Sequence, residues 1–138
     1  ENYYTLPIGK AATIKEGNDI TIISYGAGVH WALDVLEKNT NVSADVIDLR
    51  TLQPLDVETI YASVKQTGKA IVLQEDTLFG GIASEISALI TENCFHHLDA
   101  PVKRVGSIET PIPFQKELEN QYLAKNQFEE ALLSLLNF

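Results

Sequence analysis

Methionine is absent from this chain of 138 residues, and cysteine occurs once. A single Cys excludes an internal disulfide framework and suits a reducing compartment such as the cytoplasm. Because a natural reading frame starts with Met, the chain is expected to be processed or cut from a larger protein. Positive charge is scarce: 10 Lys and Arg stand against 19 Asp and Glu, a net of −9. Nucleic acid and anionic membrane both require a basic surface, so neither is expected as a partner. No apolar run approaches the length of a membrane span, and Glu1-Asn2-Tyr3-Tyr4 does not resemble a signal peptide. Repeats, low-complexity tracts and long linkers are missing too, which leaves a single domain over residues 1–138. At 45% hydrophobic and 21% charged, the chain can bury a core, so disorder is excluded.

What remains is an alternation of strands and helices. Ala11–Lys15 is a short strand signal, followed by the turn cluster Glu16-Gly17-Asn18-Asp19. Ile20–Tyr25, Ala44–Leu49, Ala70–Leu73 and Val102–Val105 are apolar, β-branched runs of the kind buried on both faces of a sheet. Between them, Val29–Lys38, a segment capped by Asp56 and closed by Gly68, and Ile82–Cys94 carry apolar residues at helical spacing. Gln74–Gly81 is expected to be a loop. Pro111 to Asn126 is the least regular stretch, expected as a surface excursion before a last helix near Gln127–Leu136. This alternation predicts an α/β fold with a mostly parallel sheet covered on both sides.

Four groups of residues invite a chemical reading. Gly26-Ala27-Gly28 follows a buried strand, and Asp48 falls 20 residues after Gly28, as in a dinucleotide fingerprint. Trp31 replaces the third glycine, however, so a tight strand-to-helix turn is the simpler reading. Phe79-Gly80-Gly81 opens a helix whose free N–H groups can hold an anion, but no Walker lysine follows and Glu75 and Asp76 repel one. Glu75 and Asp76, with Arg50 at another strand's end, form either a catalytic set or a salt-bridge network bracing two loops. No nucleophile or metal set accompanies them, which favours the network. Cys94, His96 and His97 lie at the wrong end of a helix for an activated thiol, and His30 is too remote to complete a zinc site. The residues by themselves therefore give no complete active site.

Several segments resemble one family when taken in order: ITIISYGAGVHWALDVL (Ile20–Leu36), VIDLRTLQPLDVETI (Val46–Ile60), EDTLFGGIASEIS (Glu75–Ser87) and LDAPVKRVGSIETPIP (Leu98–Pro113). Together with YTLPIGKA (Tyr4–Ala11), they are similar to the C-terminal domain of the beta subunit of thiamine-dependent 2-oxo acid dehydrogenases. The run GGIASEISALITENCF resembles the branched-chain, 2-oxoisovalerate members more than the pyruvate ones. The resemblance implies a three-layer α/β/α domain like the C-terminal domain of transketolase. Its five-stranded mixed sheet would have the order 1-3-2-4-5 with the first strand antiparallel. It also implies a parent oxidoreductase using thiamine diphosphate and magnesium, held by other domains, since no Gly-Asp-Gly motif is found here. The segment itself is expected to be non-catalytic.

In such enzymes this domain pairs with a second beta subunit, meets the alpha subunit or a fused alpha domain, and docks the subunit-binding domain of the dihydrolipoyl acyltransferase. The resemblance assigns docking to Asp99 of the LDAP turn and to Phe138 with its carboxylate. Gly26, Gly28, Arg50, Glu75, Gly80 and Gly81 are then expected in structural loops. Residues 70–138 hold ten acids and four bases, against nine and six in residues 1–69, so the acidity leans toward the expected docking half. The alternatives are the counterpart domain of a pyruvate dehydrogenase, or a regulatory domain binding a small anion or nucleotide through the two glycine turns.

Overall fold

The computed structural model describes residues 3–138, so Glu1 and Asn2 of the opening segment lie outside the described residues. The chain runs β1 (Ala12–Lys15), β2 (Ile20–Ser24), α1 (Ala27–Lys38), β3 (Ala44–Asp48), α2 (Val57–Thr67), β4 (Ala70–Thr77) and α3 (Ile82–Cys94). A 3-10 turn (Phe95–His97), β5 (Lys103–Ser107), α4 (Lys116–Tyr122) and α5 (Lys125–Leu136) complete it. The five strands form one sheet in the order β1-β3-β2-β4-β5. β1 is antiparallel to β3, and the other neighbours are parallel. The expected fold is found strand for strand.

The apolar runs split by period two, because alternate side chains leave a strand on opposite faces. Ile20, Ile22, Val46, Ile71 and Leu73 face α1 and α5, whose Ala32, Leu36, Phe128 and Leu132 close that layer. Ile23, Ile47, Ala70 and Val72 face α2 and α3, against Ile60, Val64, Ile86 and Ile90. Thr21 is one of the buried polar residues on this second face. Its Oγ1 lies 2.7 Å from both Ser63 Oγ and Thr67 Oγ1 of α2, so its burial leaves no hydroxyl unpaired.

Two expectations need correction. β4 runs on to Thr77, so Gln74, Glu75 and Asp76 belong to a strand rather than a loop. Pairing with β5 extends it: Thr77 is matched with Ser107 across a register shift. The stretch from Pro111 to Asn126 is also more than a surface excursion. It contains α4, which buries its last residue, Tyr122, and Ala124 is buried just after it. The two prolines stop regular structure only as far as Phe114, and the helix starts where they end.

Candidate functional site

The carboxyl ends of the parallel strands carry most of the candidates, where α/β folds place functional groups. Gly26 caps α1 at φ 56°, and Gly28 lies inside the first turn of α1, not in a loop as expected. A side chain on Gly28 would strike Ser24 Oγ, which donates to the Leu73 carbonyl at 2.8 Å. At Gly28 this turn is packed against Ser24 of β2 and Leu73 of β4, the close strand-to-helix approach of a tight turn.

The second glycine turn is plugged from inside. Gln74 is fully buried, and its Oε1 accepts the Ala83 N–H of α3 at 2.7 Å. Its Nε2 donates to the Thr77 carbonyl and, at 3.3 Å, to the Asp76 carbonyl. A Cβ at Gly81 would collide with that amide, while Gly80 supplies the φ of 72° the turn needs. Glu109 Oε1 accepts the Phe79 N–H at 2.9 Å. With the Gly81 N–H donating to the Leu78 carbonyl and the Ser84 N–H to the Gly81 carbonyl, four of the N–H groups around this helix start are taken by the chain's own oxygens. Sequence reasoning passed over Gln74; its signal was a lone amide ending the apolar run AIVL.

Arg50 does not brace Glu75 or Asp76. It lies just past β3 in the left-handed region, with φ 56°, and its Nε is 3.8 Å from Asp48 Oδ2. The strand order explains this: β2 intervenes between β3 and β4, which keeps their ends about 10 Å apart. Asp48, the acid at ribose spacing, is committed to Arg50 and also accepts the Arg50 N–H at 3.1 Å. Glu75 and Asp76 are exposed and line a cleft of about 310 Å³ with Tyr25 and Tyr122. Burial raises the pKa of both phenols, and the two carboxylates raise it further.

Cys94 is buried, and burial pushes its thiol pKa up despite the lowering effect of Lys65. His96 and His97 are exposed on the 3-10 turn, with the His96 ring edge-on to Phe95 at 5.7 Å between centroids. No group of three or more His, Cys, Asp or Glu among the described residues is placed to hold a metal ion. The plugged glycine turns and this donor set do not fit a thiamine diphosphate–magnesium pair.

The arrangement is different at the far end of α3. Asp99 and Phe138, distant in sequence, line one open groove of about 610 Å³. Phe95, Leu98, Pro101 and Val102 supply its apolar lining. Asp99 is exposed, and the Phe138 ring is 74% exposed, so the groove presents one carboxylate beside uncovered aromatic surface. The turn holding Asp99 is anchored by its N–H, which donates to the Gly68 carbonyl at 2.8 Å. Such a surface can take a basic side chain at Asp99 and apolar groups beside it. No helix among the described residues is long and apolar enough to cross a membrane.

Comparison with known proteins agrees with this fold. The family profile of the transketolase C-terminal domain matches residues 9–127. The chain is 42% identical over 139 aligned residues to the 2-oxoisovalerate dehydrogenase subunit beta of Bacillus subtilis (strain 168), covering 98% of this chain and 42% of that protein. It is 48% identical over 119 residues to the pyruvate dehydrogenase E1 component subunit beta of the same organism, covering 84% and 36%. Among solved structures, a split-gene transketolase described as an inactive beta4 tetramer superposes with a TM-score of 0.72 at 26% identity, covering 94% of this chain and 42% of that one. The chain spans less than half the length of these relatives.

Proposed function

This chain belongs to the transketolase C-terminal domain family, and from that premise we propose that it is the C-terminal assembly and docking domain of a 2-oxo acid dehydrogenase. The parent is a beta subunit, or a chain with alpha and beta fused, acting in the cytoplasm. It decarboxylates a 2-oxo acid oxidatively and passes the acyl group to lipoamide, with thiamine diphosphate and magnesium held by its other domains. We favour a branched-chain substrate over pyruvate. Both kinds of relative align with the chain, and the run GGIASEISALITENCF supports the branched-chain choice.

In this reading the domain pairs with a second beta subunit, meets the alpha subunit or alpha domain, and docks the subunit-binding domain of the dihydrolipoyl acyltransferase. The observation that carries the docking role is the shared groove of Asp99 and Phe138. Asp99 offers a charge-assisted bond to a basic docking module, and the Phe138 ring offers apolar surface next to it. The plugged helix N-terminus at Gly81 speaks against the small-anion alternative.

Titration calorimetry of the chain with the acyltransferase subunit-binding domain tests the role. Binding is expected, weaker with added salt and about tenfold or more weaker for Asp99→Ala. An affinity unchanged in Asp99→Ala and in a chain lacking Phe138 overturns the assignment.

A further inference from the structure

Asp99 and Phe138 stand on separate elements, the turn before β5 and the end of α5. Their groove keeps its shape only if those elements are held in register. The turn between α2 and β4, Gly68-Lys69, reaches both. The Gly68 carbonyl accepts the Asp99 N–H at 2.8 Å. The next residue works through its side chain: Lys69 Nζ donates to the Leu136 carbonyl at 3.1 Å, across 67 positions of sequence. This turn is itself fixed to the sheet. The Lys69 carbonyl accepts the Thr21 N–H of β2 at 2.8 Å and the Thr67 hydroxyl at 3.1 Å.

Leu136 is the last residue of α5, where carbonyls lack an intrahelical donor and the helix dipole is negative. A lysine ammonium answers both. Packing holds α5 through Leu135 and the half-buried Leu136, whereas Asn137 and Phe138 are exposed. The Asn137 and Phe138 N–H groups donate to the Leu133 and Leu135 carbonyls, and the Asn137 side chain also donates to Leu133. Such bonds shape the last turn without tying it to the rest of the molecule. Among the described residues, the hydrogen bond that reaches residues 136–138 from outside α5 is the one from Lys69. The ion pairs of those residues, Lys10–Asp56 and Arg50–Asp48, leave its charge directed at the helix end.

We propose that Lys69 is the positioning residue of the docking groove: its ammonium holds the end of α5 so that Phe138 stands beside Asp99. This role presupposes the docking function of Asp99 and Phe138. Lys69 does not line the groove and meets no partner itself. It acts at the point where packing of α5 ends and the exposed chain end begins, which is where one bond has most leverage over the Phe138 ring. A lysine that merely stabilises the fold would differ in one respect, because its effect on docking would not pass through Phe138.

The test combines calorimetric titration with the acyltransferase subunit-binding domain and NMR of the free chain. Lys69→Met keeps the aliphatic stem and removes the charge. It should weaken binding about three- to tenfold and lower the amide heteronuclear NOE of Phe138. Lys69→Arg should restore both. In a chain lacking Phe138, Lys69→Met should not change affinity further, because nothing is left to position. The same weakening with and without Phe138 would mark a merely stabilising lysine and overturn the proposal. An unchanged Phe138 NOE in Lys69→Met overturns it too. So does an affinity unchanged in Lys69→Met while Asp99→Ala still weakens binding, a pattern that leaves the docking role standing. An affinity unchanged in Asp99→Ala and in the chain lacking Phe138 removes the docking role itself, and Lys69's with it. Should Lys69→Met not fold, Lys69→Gln carries the same comparisons.

Discussion

Asp99 lies over Gly68 in the space that a Cβ would fill, and the Asp99 N–H donates to the Gly68 carbonyl at 2.8 Å. Gly68 is also the left-handed C-cap of α2, at φ 71°. One residue thus closes a helix and seats the acid of the proposed docking groove. Asp99 can brace its turn and still meet a partner, because its backbone does the first and its side chain is exposed for the second.

Gly68→Ala follows directly from that contact. The left-handed backbone alone disfavours alanine by about 1 kcal/mol, and the collision with Asp99 adds to it. Urea denaturation should show a loss of about 1–3 kcal/mol. Affinity for the acyltransferase module should fall as well, because Asp99 has to move.

Gln74→Ala removes a fully buried amide with partners on both sides. It leaves the Ala83 N–H and the Thr77 carbonyl unpaired, at an expected cost of about 2–4 kcal/mol. Hydrogen exchange should speed up first at Ala83, whose N–H loses its acceptor. Exchange unchanged there would mean that Gln74 does not hold the start of α3.

Asp56 links the opening segment to α2. It accepts the Ala11 N–H at 3.1 Å and the Thr59 N–H at 3.4 Å, and Lys10 Nζ is 3.8 Å away. Burial by itself would raise its pKa, but the bonds from Ala11 and Thr59 and the charge of Lys10 outweigh it and hold the carboxyl below its ordinary value. A folded pKa below the unfolded one gives stability that is fully present above about pH 4 and is lost as pH falls through the folded value. Asp56→Ala should cost about 1–2 kcal/mol at pH 7. The gap from the parent chain should narrow below about pH 4, which urea midpoints across the acid range will report.

Cys94 should behave as a core residue. Its thiol is buried with a raised pKa, so the thiolate that reacts with alkylating agents is scarce in the native state. Iodoacetamide labelling at pH 7.5 should be slow in buffer and rapid in denaturing urea. Rapid labelling of the native chain would overturn this.

Local features of the sequence went far because they act over short distances. The β-branched runs at Ile20 and Ala44 mark buried strands, and Asp56 and Gly68 bound α2 within a few residues. Glu75 and Asp76 were harder to place: two acids signal a loop, yet pairing with β5 carries β4 through them. Likewise, buried Tyr122 makes the segment after Pro113 part of the fold, and no periodicity announces a single anchoring ring.

The sequence by itself determined the alternation of elements, the two-faced burial of the central strands, the acidic balance and the family. The first three follow from side-chain period, caps and composition, and the family from the resemblance of whole segments, all of which are written residue by residue. Tertiary structure alone decided which distant side chains meet. It brought Phe138 beside Asp99, turned Arg50 to Asp48 instead of Glu75, and filled the start of α3 with Gln74. Such meetings depend on strand order and on how helices cross the sheet, and both are set by the packing of the whole core rather than by any local run of residues.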